Sequence, residues 1–202
     1  APADTMPSAR EVKRLKITCL RRDSMFAKIL GILNKIIYKF KYGNAIYFDG
    51  IPCFTSHMQM YVRNGTLKIG KGFRINQGVY IAAVDGGNIN IGKRVSLNRN
   101  CIIVSHKYIS IGDNVAMGPN VVFYDHDHNF GENGIKEGYK TGCIVIENNC
   151  WIGANVTILR GTHIGEGSVI GAGCIVQGIV PAHSLVTSNR ELNITPIIDR
   201  ET

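Results

Sequence analysis

The sequence predicts an all-β fold: a parallel β-helix of about five triangular coils, with an N-terminal amphipathic helix and one long excursion loop. Two patterns predict the coils. Large apolar residues recur every six positions: Ile69, Ile75, Ile81; Ile91, Leu97, Ile103; Ile111, Met117, Phe123; Ile146, Ile152, Ile158; Ile164, Ile170, Val176. The residue two before each marker is also apolar or small, from Leu67, Phe73 and Val79 through to Thr162, Ser168 and Cys174. In an extended strand residues i and i−2 face one side, so each hexapeptide is a short strand with two inward side chains and a corner. Glycine often takes the corner, as at Gly70, Gly112, Gly153 and Gly171. Three strands close one turn, and five turns at the roughly 4.8 Å strand spacing give a prism on the order of 24 Å long. A sandwich of ordinary strands calls for turn signals every 8–12 residues or so, which does not match a register of six held through the last six hexapeptides.

Along the chain, residues 1–64 form a basic leader that contains the amphipathic helix and a capping segment. Residues 1 to about 10 read as disordered. In "MFAKILGILNKIIYKF", apolar residues stand at 25, 26, 29, 30, 32, 33, 36, 37 and 40, with Lys28, Lys35, Lys39 and Lys41 around them. Such a stripe has two readings: a helix that caps the first coil and hides its open strand edges, or one that rests on a membrane surface. Residues 65–182 are the hexapeptide prism, and 183–202 a C-terminal tail. The register pauses briefly before Ile91 and Ile111. After Phe123 the next marker falls due at Asn129, but the register returns only at Ile146. The intervening 129–145 is polar, with glycines at 131, 134, 138 and 142, and reads as a loop leaving the prism.

Composition narrows the function classes. The chain has 202 residues and a formal net charge of +8. Residues 1–42 hold ten Lys/Arg against three Asp/Glu, and the rest of the chain thirteen against twelve. A basic leader on a near-neutral body fits an anionic surface better than nucleic acid, which favours a basic face on the folded body. No apolar run is long enough to span a bilayer, and no secretory signal is evident. Six cysteines are scattered without a CxxC pair, so a reducing, cytoplasmic setting is expected. Cys101, Cys150 and Cys174 fall at inward positions and read as core filler.

The segment "FYDHDHNF", at the root of the long excursion, is the functional candidate. Two histidines and two aspartates alternate there, and insertions in repeat folds often carry binding. His126 and His128 would point the same way in an extended segment. Histidine suits general-base work because its unperturbed pKa of about 6.5 leaves it substantially neutral near pH 7. Asp125 and Asp127 are candidates to orient an imidazole. Of the other histidines, His163 and His183 read as exposed corners, and His57 and His106 have no obvious partner.

The stretches "IGDNVAMGPNVVFYDHDHNF" and "NNCWIGANVTILRGTHIGEGSVIGAGCIV" resemble the hexapeptide-repeat acyltransferases. The similarity is to sugar and polysaccharide O-acetyltransferases, near the galactoside and maltose acetyltransferases, and covers about residues 65–182. The resemblance implies a left-handed coil, acetyl-CoA as acyl donor, and a base at His128, with His126 the alternative. It implies that Asn98 lies near acceptor and base, that the Ala154 amide holds an oxyanion, that Trp151 lines the site, and that Ala172 stands on the pantetheine path. Gln177, with Gly178, stands where relatives often carry a lysine, and the glycine-proline exit motif is absent. Arg190 is a candidate substitute for the contact with the CoA phosphates. It further implies a homotrimer whose active sites lie between subunits. Tyr139 and Lys140, near the end of the excursion, are placed to meet a neighbour or the acceptor.

The expected function is therefore an acetyl-CoA-dependent O-acetyltransferase acting on a hydroxyl of a sugar or cell-surface glycan precursor. The expected setting is cytoplasmic, with peripheral contact at the inner face of the membrane. The rivals are an N-acetyltransferase on an amino-sugar nucleotide, an antibiotic acetyltransferase, a zinc enzyme of the γ-carbonic anhydrase type and a non-catalytic scaffold. No metal is expected, because "DHDH" lacks the His-x4-His spacing of the zinc enzyme.

Overall fold

A computed structural model describes residues 25–54 and 57–188, apart from the Phe26 side chain. The expectations about residues 1–24, Cys19, Arg190 and most of the tail lie outside the described residues. The chain forms a β-solenoid with three flat faces, each a parallel sheet. The first face has seven strands: Ile46–Phe48, Thr66–Ile69, Asn88–Ile91, Tyr108–Ile111, Ile144–Ile146, His163–Ile164 and Ile179–Val180. The second also has seven: Cys53–Phe54, Arg74–Ile75, Ser96–Leu97, Ala116–Met117, Trp151–Ile152, Val169–Ile170 and Leu185–Val186. The third has six: Gln59–Arg63, Tyr80–Val84, Ile102–Ser105, Val122–Tyr124, Thr157–Leu159 and Ile175–Val176.

The six-residue register is the register of the sheets. Ile69 pairs with Ile91, Ile75 with Leu97 and Ile81 with Ile103. Every marker and every companion two residues before it is buried, none more than 5% exposed. Cys101, Cys150 and Cys174 are buried in this core as expected. The two inward hydroxyls are satisfied within the stack. Thr162 donates to the Leu159 carbonyl at 2.6 Å, with the Val176 carbonyl 3.1 Å away, and Ser168 donates to the Pro181 carbonyl.

Three expectations need correction. There are about six coils, not five. The extra coil comes from residues 46–63, which read as capping segment: Phe48, Phe54 and Met60 already keep the step of six and pair with Ile69, Ile75 and Ile81. That earlier coil lacks the corner glycine, since Asp49, Thr55 and Tyr61 follow its markers. A seventh coil is begun by Ile179–Val180 and Leu185–Val186. Lastly, the excursion is not an irregular loop but an antiparallel β-hairpin, His126–Gly131 with Gly134–Thr141. It begins three residues earlier than expected. A bulge follows His128, where Gly138 takes a φ of 80° and Asn129 donates to the Glu137 carbonyl. Without an apolar inward position, the segment takes its order from its own ladder and from side-chain contacts of Asp127 and Tyr139 with the prism.

The corners explain where the chain tolerates extra residues. At the corner between second and third faces, Asn100, Asn120 and Asn155 hold positive φ and pass a side-chain hydrogen bond up the stack, 3.3 and 3.0 Å. Between first and second faces Asn114 and Asn149 do the same at 2.9 Å. Asparagine tolerates this left-handed backbone because its short amide bonds locally. Such stacked corners leave no room for insertions. Each pause in the register instead falls after a third-face strand, at the corner leading into the next coil.

The helix Met25–Tyr42 touches all three strands of the first coil. Gly31 lies so close that an added Cβ would stand 1.9 Å from the Pro52 carbonyl oxygen. Tyr38 donates to the Met58 sulfur and accepts from the Met60 amide. The helix thus packs against the first coil.

Close stacking also sets a stability expectation. A Cβ on Gly112 would stand 2.7–2.8 Å from atoms of Glu147 and Asn148 in the next coil. Gly112→Ala should cost about 1–3 kcal/mol by overpacking, read as a lower urea midpoint with an unchanged m-value.

Candidate active site

The corner between third and first faces collects the histidines. Each coil reaches it two residues past the third-face marker, at Ala83, Ser105, Asp125 and Arg160 in successive coils. Alternation turns that position inward in the first three, so Asp125 is fully buried, whereas Arg160 is partly exposed. A buried carboxylate is tolerable only when its oxygens are bonded. Here the corner of the preceding coil supplies the donors: the amides of His106, Lys107 and Tyr108, each at 2.8 Å, and the Ser105 hydroxyl at 2.7 Å. His126 Nδ1 lies 3.2 Å from the same carboxylate. Burial pushes the Asp125 pKa up, but His126, the two amides of His106 and Lys107, and Ser105 outweigh it and hold the carboxyl below its ordinary value.

Three imidazoles gather around one phenol. The His106 and His126 rings are 4.0 Å apart between centroids. Tyr139, from the returning strand of the hairpin, lies 4.3 Å from His106, 5.2 Å from His126 and 4.9 Å from His128. His126 and His128 thus share a face, as their alternation predicts, and His128 is the more exposed of the two. His106 Nδ1 lies 3.8 Å from Asp85, which Arg63 grips with one guanidinium nitrogen. Burial and the adjacent His126 hold the His106 pKa below its ordinary value, against the pull of Asp85 and Asp125. A largely neutral His106 can pack against a second imidazole without charge repulsion.

The remaining site candidates divide. Asp127 points away from the imidazoles and pairs with the Arg160 guanidinium, so it does not orient a histidine. The reason is strand alternation, which sends residue 127 to the face opposite 126 and 128. Lys140, paired across the hairpin with Asp127, lays its ammonium over the Phe130 ring. Gln177 stands at this same corner and donates to the Arg160 carbonyl at 3.4 Å.

The other candidates belong to the corner between second and third faces. Asn98 accepts there from Asn76 at 3.1 Å. Ala154 and Ala172 stack above it, each with its amide 2.7 Å from where a Cβ on the preceding coil's glycine, Gly118 or Gly153, would stand. Trp151 stands on the second face, exposed, between Ala116 and Val169. One whole third face separates these residues from the histidines, so a single chain does not bring the two groups together. The histidines leave the third and fourth coils, and Asn98, Ala154 and Ala172 stand on the third, fifth and sixth, so the two groups occupy neighbouring heights along the axis.

Ser105, Asp85 and Arg160 were not singled out in the sequence, and His106, read there as without an obvious partner, packs against His126 and Tyr139. The signal for His106 was present: it stands three residues past marker Ile103, as His126 stands three past Phe123. The cleft between helix and first coil, about 270 Å³ and lined by Tyr38, Tyr42, Tyr61 and Tyr80, lies away from this chemistry. Among the described residues, no three His, Cys, Asp or Glu side chains converge as a metal site requires. His163, with Glu147 at 2.8 Å, is exposed but stands on a first-face strand rather than at a corner, and His183 is an exposed corner.

Asp125→Asn places an NH₂ against donors and should cost about 3 kcal/mol. Because the folded-state pKa of Asp125 is lowered, its contribution is present above the unfolded value near 4 and is lost as pH falls through the folded value. Wild-type stability measured by urea titration should therefore fall below about pH 4 more steeply than that of the variant.

Comparison with known proteins agrees with this architecture. Residues 143–178 match the family described as bacterial transferase hexapeptide (six repeats). A Staphylococcus aureus (strain Mu50) protein that carries an acetyltransferase name is 47% identical over 105 residues, 52% of this chain and 53% of that protein. The galactoside O-acetyltransferase of Escherichia coli (strain K12) is 38% identical over 120 residues, 57% of this chain and 58% of that enzyme. The chain spans about half the length of the curated relatives it matches. Among solved structures, a variant of an N-acyltransferase from Bacillus cereus in complex with dTDP and coenzyme A superposes with a TM-score of 0.60 at 17% identity. It covers 75% of this chain and 82% of that one, a likeness of fold. Residues 143–178 thus carry the hexapeptide repeat of bacterial transferases, and the same register of six continues through the coils stacked before them.

Proposed function

We propose that the chain transfers an acetyl group from acetyl-CoA to a hydroxyl of a sugar or cell-surface glycan precursor. The observation that supports this most is the histidine corner, on a prism that shares 38% identity over 120 residues with a galactoside O-acetyltransferase. Transfer to a hydroxyl needs a base within hydrogen-bond reach of the O–H and a donor where the thioester carbonyl becomes an oxyanion. His128 takes the first role. Its ring is exposed beside Tyr139 and it accepts the hydroxyl proton as the oxygen attacks the thioester carbon. The C–O bond forms, the C–S bond then breaks, and His128 returns the proton to the departing thiolate. A base so placed contributes about 10²–10⁴-fold. The Ala154 amide serves the oxyanion, worth roughly 3 kcal/mol. Asn98 and Trp151 border the acceptor, and the small, exposed Ala172 leaves room for the pantetheine arm.

One observation favours a second reading of the base. The contact of His126 Nδ1 with Asp125 matches the arrangement in which a carboxylate fixes the imidazole tautomer and leaves Nε2 to accept the proton. Alanine at each histidine separates the two. His128→Ala should lower kcat for acetyl-CoA cleavage by about 10²-fold or more with the fold intact, and His126→Ala should do less. The opposite order moves the base to His126, and full activity in both variants ends the histidine mechanism. A panel of sugar and amine acceptors, read by thiol release, tests the acceptor class.

In this reading the site lies between subunits of a homotrimer, the histidine corner of one chain facing the Ala154–Ala172 corner of the next. Flat faces around a common axis close with cyclic symmetry, and the two residue groups stand on neighbouring coils. Mixing inactive His128→Ala subunits with inactive Ala172→Trp subunits should restore partial activity. A monomer by light scattering, or no rescue in verified mixed trimers, overturns the arrangement.

A further inference from the structure

Once one side of the helix Met25–Tyr42 is committed to the first coil, its other side remains. Gly31, Lys35, Tyr38 and Tyr42 recur at helical spacing and face the prism, Lys35 through its bond to the Gly50 carbonyl. Opposite them stand Met25, Ile29, Leu33, Ile36, Ile37 and Phe40. These residues are 46–94% exposed, with Phe40 the highest. Packing on the first coil needs one side of the helix, and its second, apolar side is exposed among the described residues.

The charges indicate what covers it. Lys28, Lys39 and Lys41 are exposed and lie along the borders of the outer ridge, and the helix contains no Asp or Glu. From this geometry we infer that the outer ridge lies on an anionic lipid surface. The apolar residues enter the boundary between headgroups and acyl chains, and the lysines meet the phosphates at its edges. The 18-residue helix is not long and apolar enough to cross a membrane, so it lies in the plane of the surface. A second copy of the chain is a poorer occupant, because two such ridges would set lysines against lysines with no carboxylate on either helix. Upstream, residues 1–24 hold six Lys/Arg against three Asp/Glu, a charge of the same sign. The fixed seat of the helix then sets the height of the prism: the Asp125 corner, three coils from the first, stands roughly 15 Å beyond it at the usual strand spacing. The inference does not depend on the acyl-transfer reading.

Vesicle flotation of the full chain tests it, with phosphatidylcholine vesicles and with mixed phosphatidylcholine–phosphatidylserine vesicles. The wild type should float with the mixed vesicles, less so as salt rises, and stay in the aqueous layer with neutral ones. A variant with both Ile36→Glu and Phe40→Glu should lose at least about tenfold in partitioning to the mixed vesicles. A variant with Lys28→Gln and Lys41→Gln should fall towards the neutral-vesicle level. Both pairs are solvent-exposed, and circular dichroism verifies the fold. Three results would each overturn the inference: wild type that stays in solution with the mixed vesicles, a ridge variant that floats like wild type, or a ridge variant whose oligomer shrinks by light scattering, which would give the ridge to a second copy.

Discussion

The parallel backbone ladder from each coil to the next is the constraint on which the rest of the molecule depends. A single hexapeptide strand buries two side chains and cannot make a core. Only when Ile69 lies against Ile91, and Ile91 against Ile111, does the interior close. Backbone donors and acceptors then find partners along the axis, and among the described residues no buried side-chain nitrogen or oxygen is left unbonded. A displaced strand would turn inward and outward side chains over together. The register is therefore rigid on the three faces and at two of the corners. Extra residues can enter at the third corner, and chemistry accumulated there.

Asp125 shows how such a corner is made firm. The inward position would ordinarily carry an apolar or small residue, as Ala83 and Ser105 do in the coils before it. A carboxylate in that place would be costly in isolation. The preceding corner turns three amides and a hydroxyl towards it, so the charge stitches one coil's corner to the next. His126 leans on the same carboxylate, His106 packs on His126, and Tyr139 folds over both from the hairpin. The orientation of the imidazoles is thus inherited from the ladder through one buried group. The proposed base sits one strand position further out, where it meets solvent and acceptor.

The two ends of the prism are handled differently. At the N-terminal end a helix covers the open strands, and the same helix carries a second apolar side edged with lysines. Cap and lipid contact are compatible, because they use opposite sides of one cylinder. At the other end, exposed Ile175, Ile179 and Leu185 mark the last coils, beyond which the chain runs past the described residues. Between the ends, the division of the proposed catalytic residues across two corners makes assembly a condition of activity in our reading.

Much of this was legible before any coordinates. Period six and its companion at i−2 identified the prism and its inward residues, because both report local alternation and corner spacing. The same step marked a sixth coil through Phe48, Phe54 and Met60, which the absence of corner glycines obscured. Alternation also placed His126 and His128 together and would have sent Asp127 to the far side. Local spacing could not show that Ser105, His106, Lys107 and Tyr108 converge on Asp125, since those contacts cross a whole coil and depend on the lengths of the intervening corners. Nor could it show that Arg160 would take Asp127, or that Asn98, Ala154 and Ala172 would line up on a different edge from the histidines. By itself the sequence determined which residues face inward and where the chain departs from its repeat. Only the tertiary structure decided which corners stack on which, because that is set by the pairing of strands about twenty residues apart rather than by neighbours along the chain.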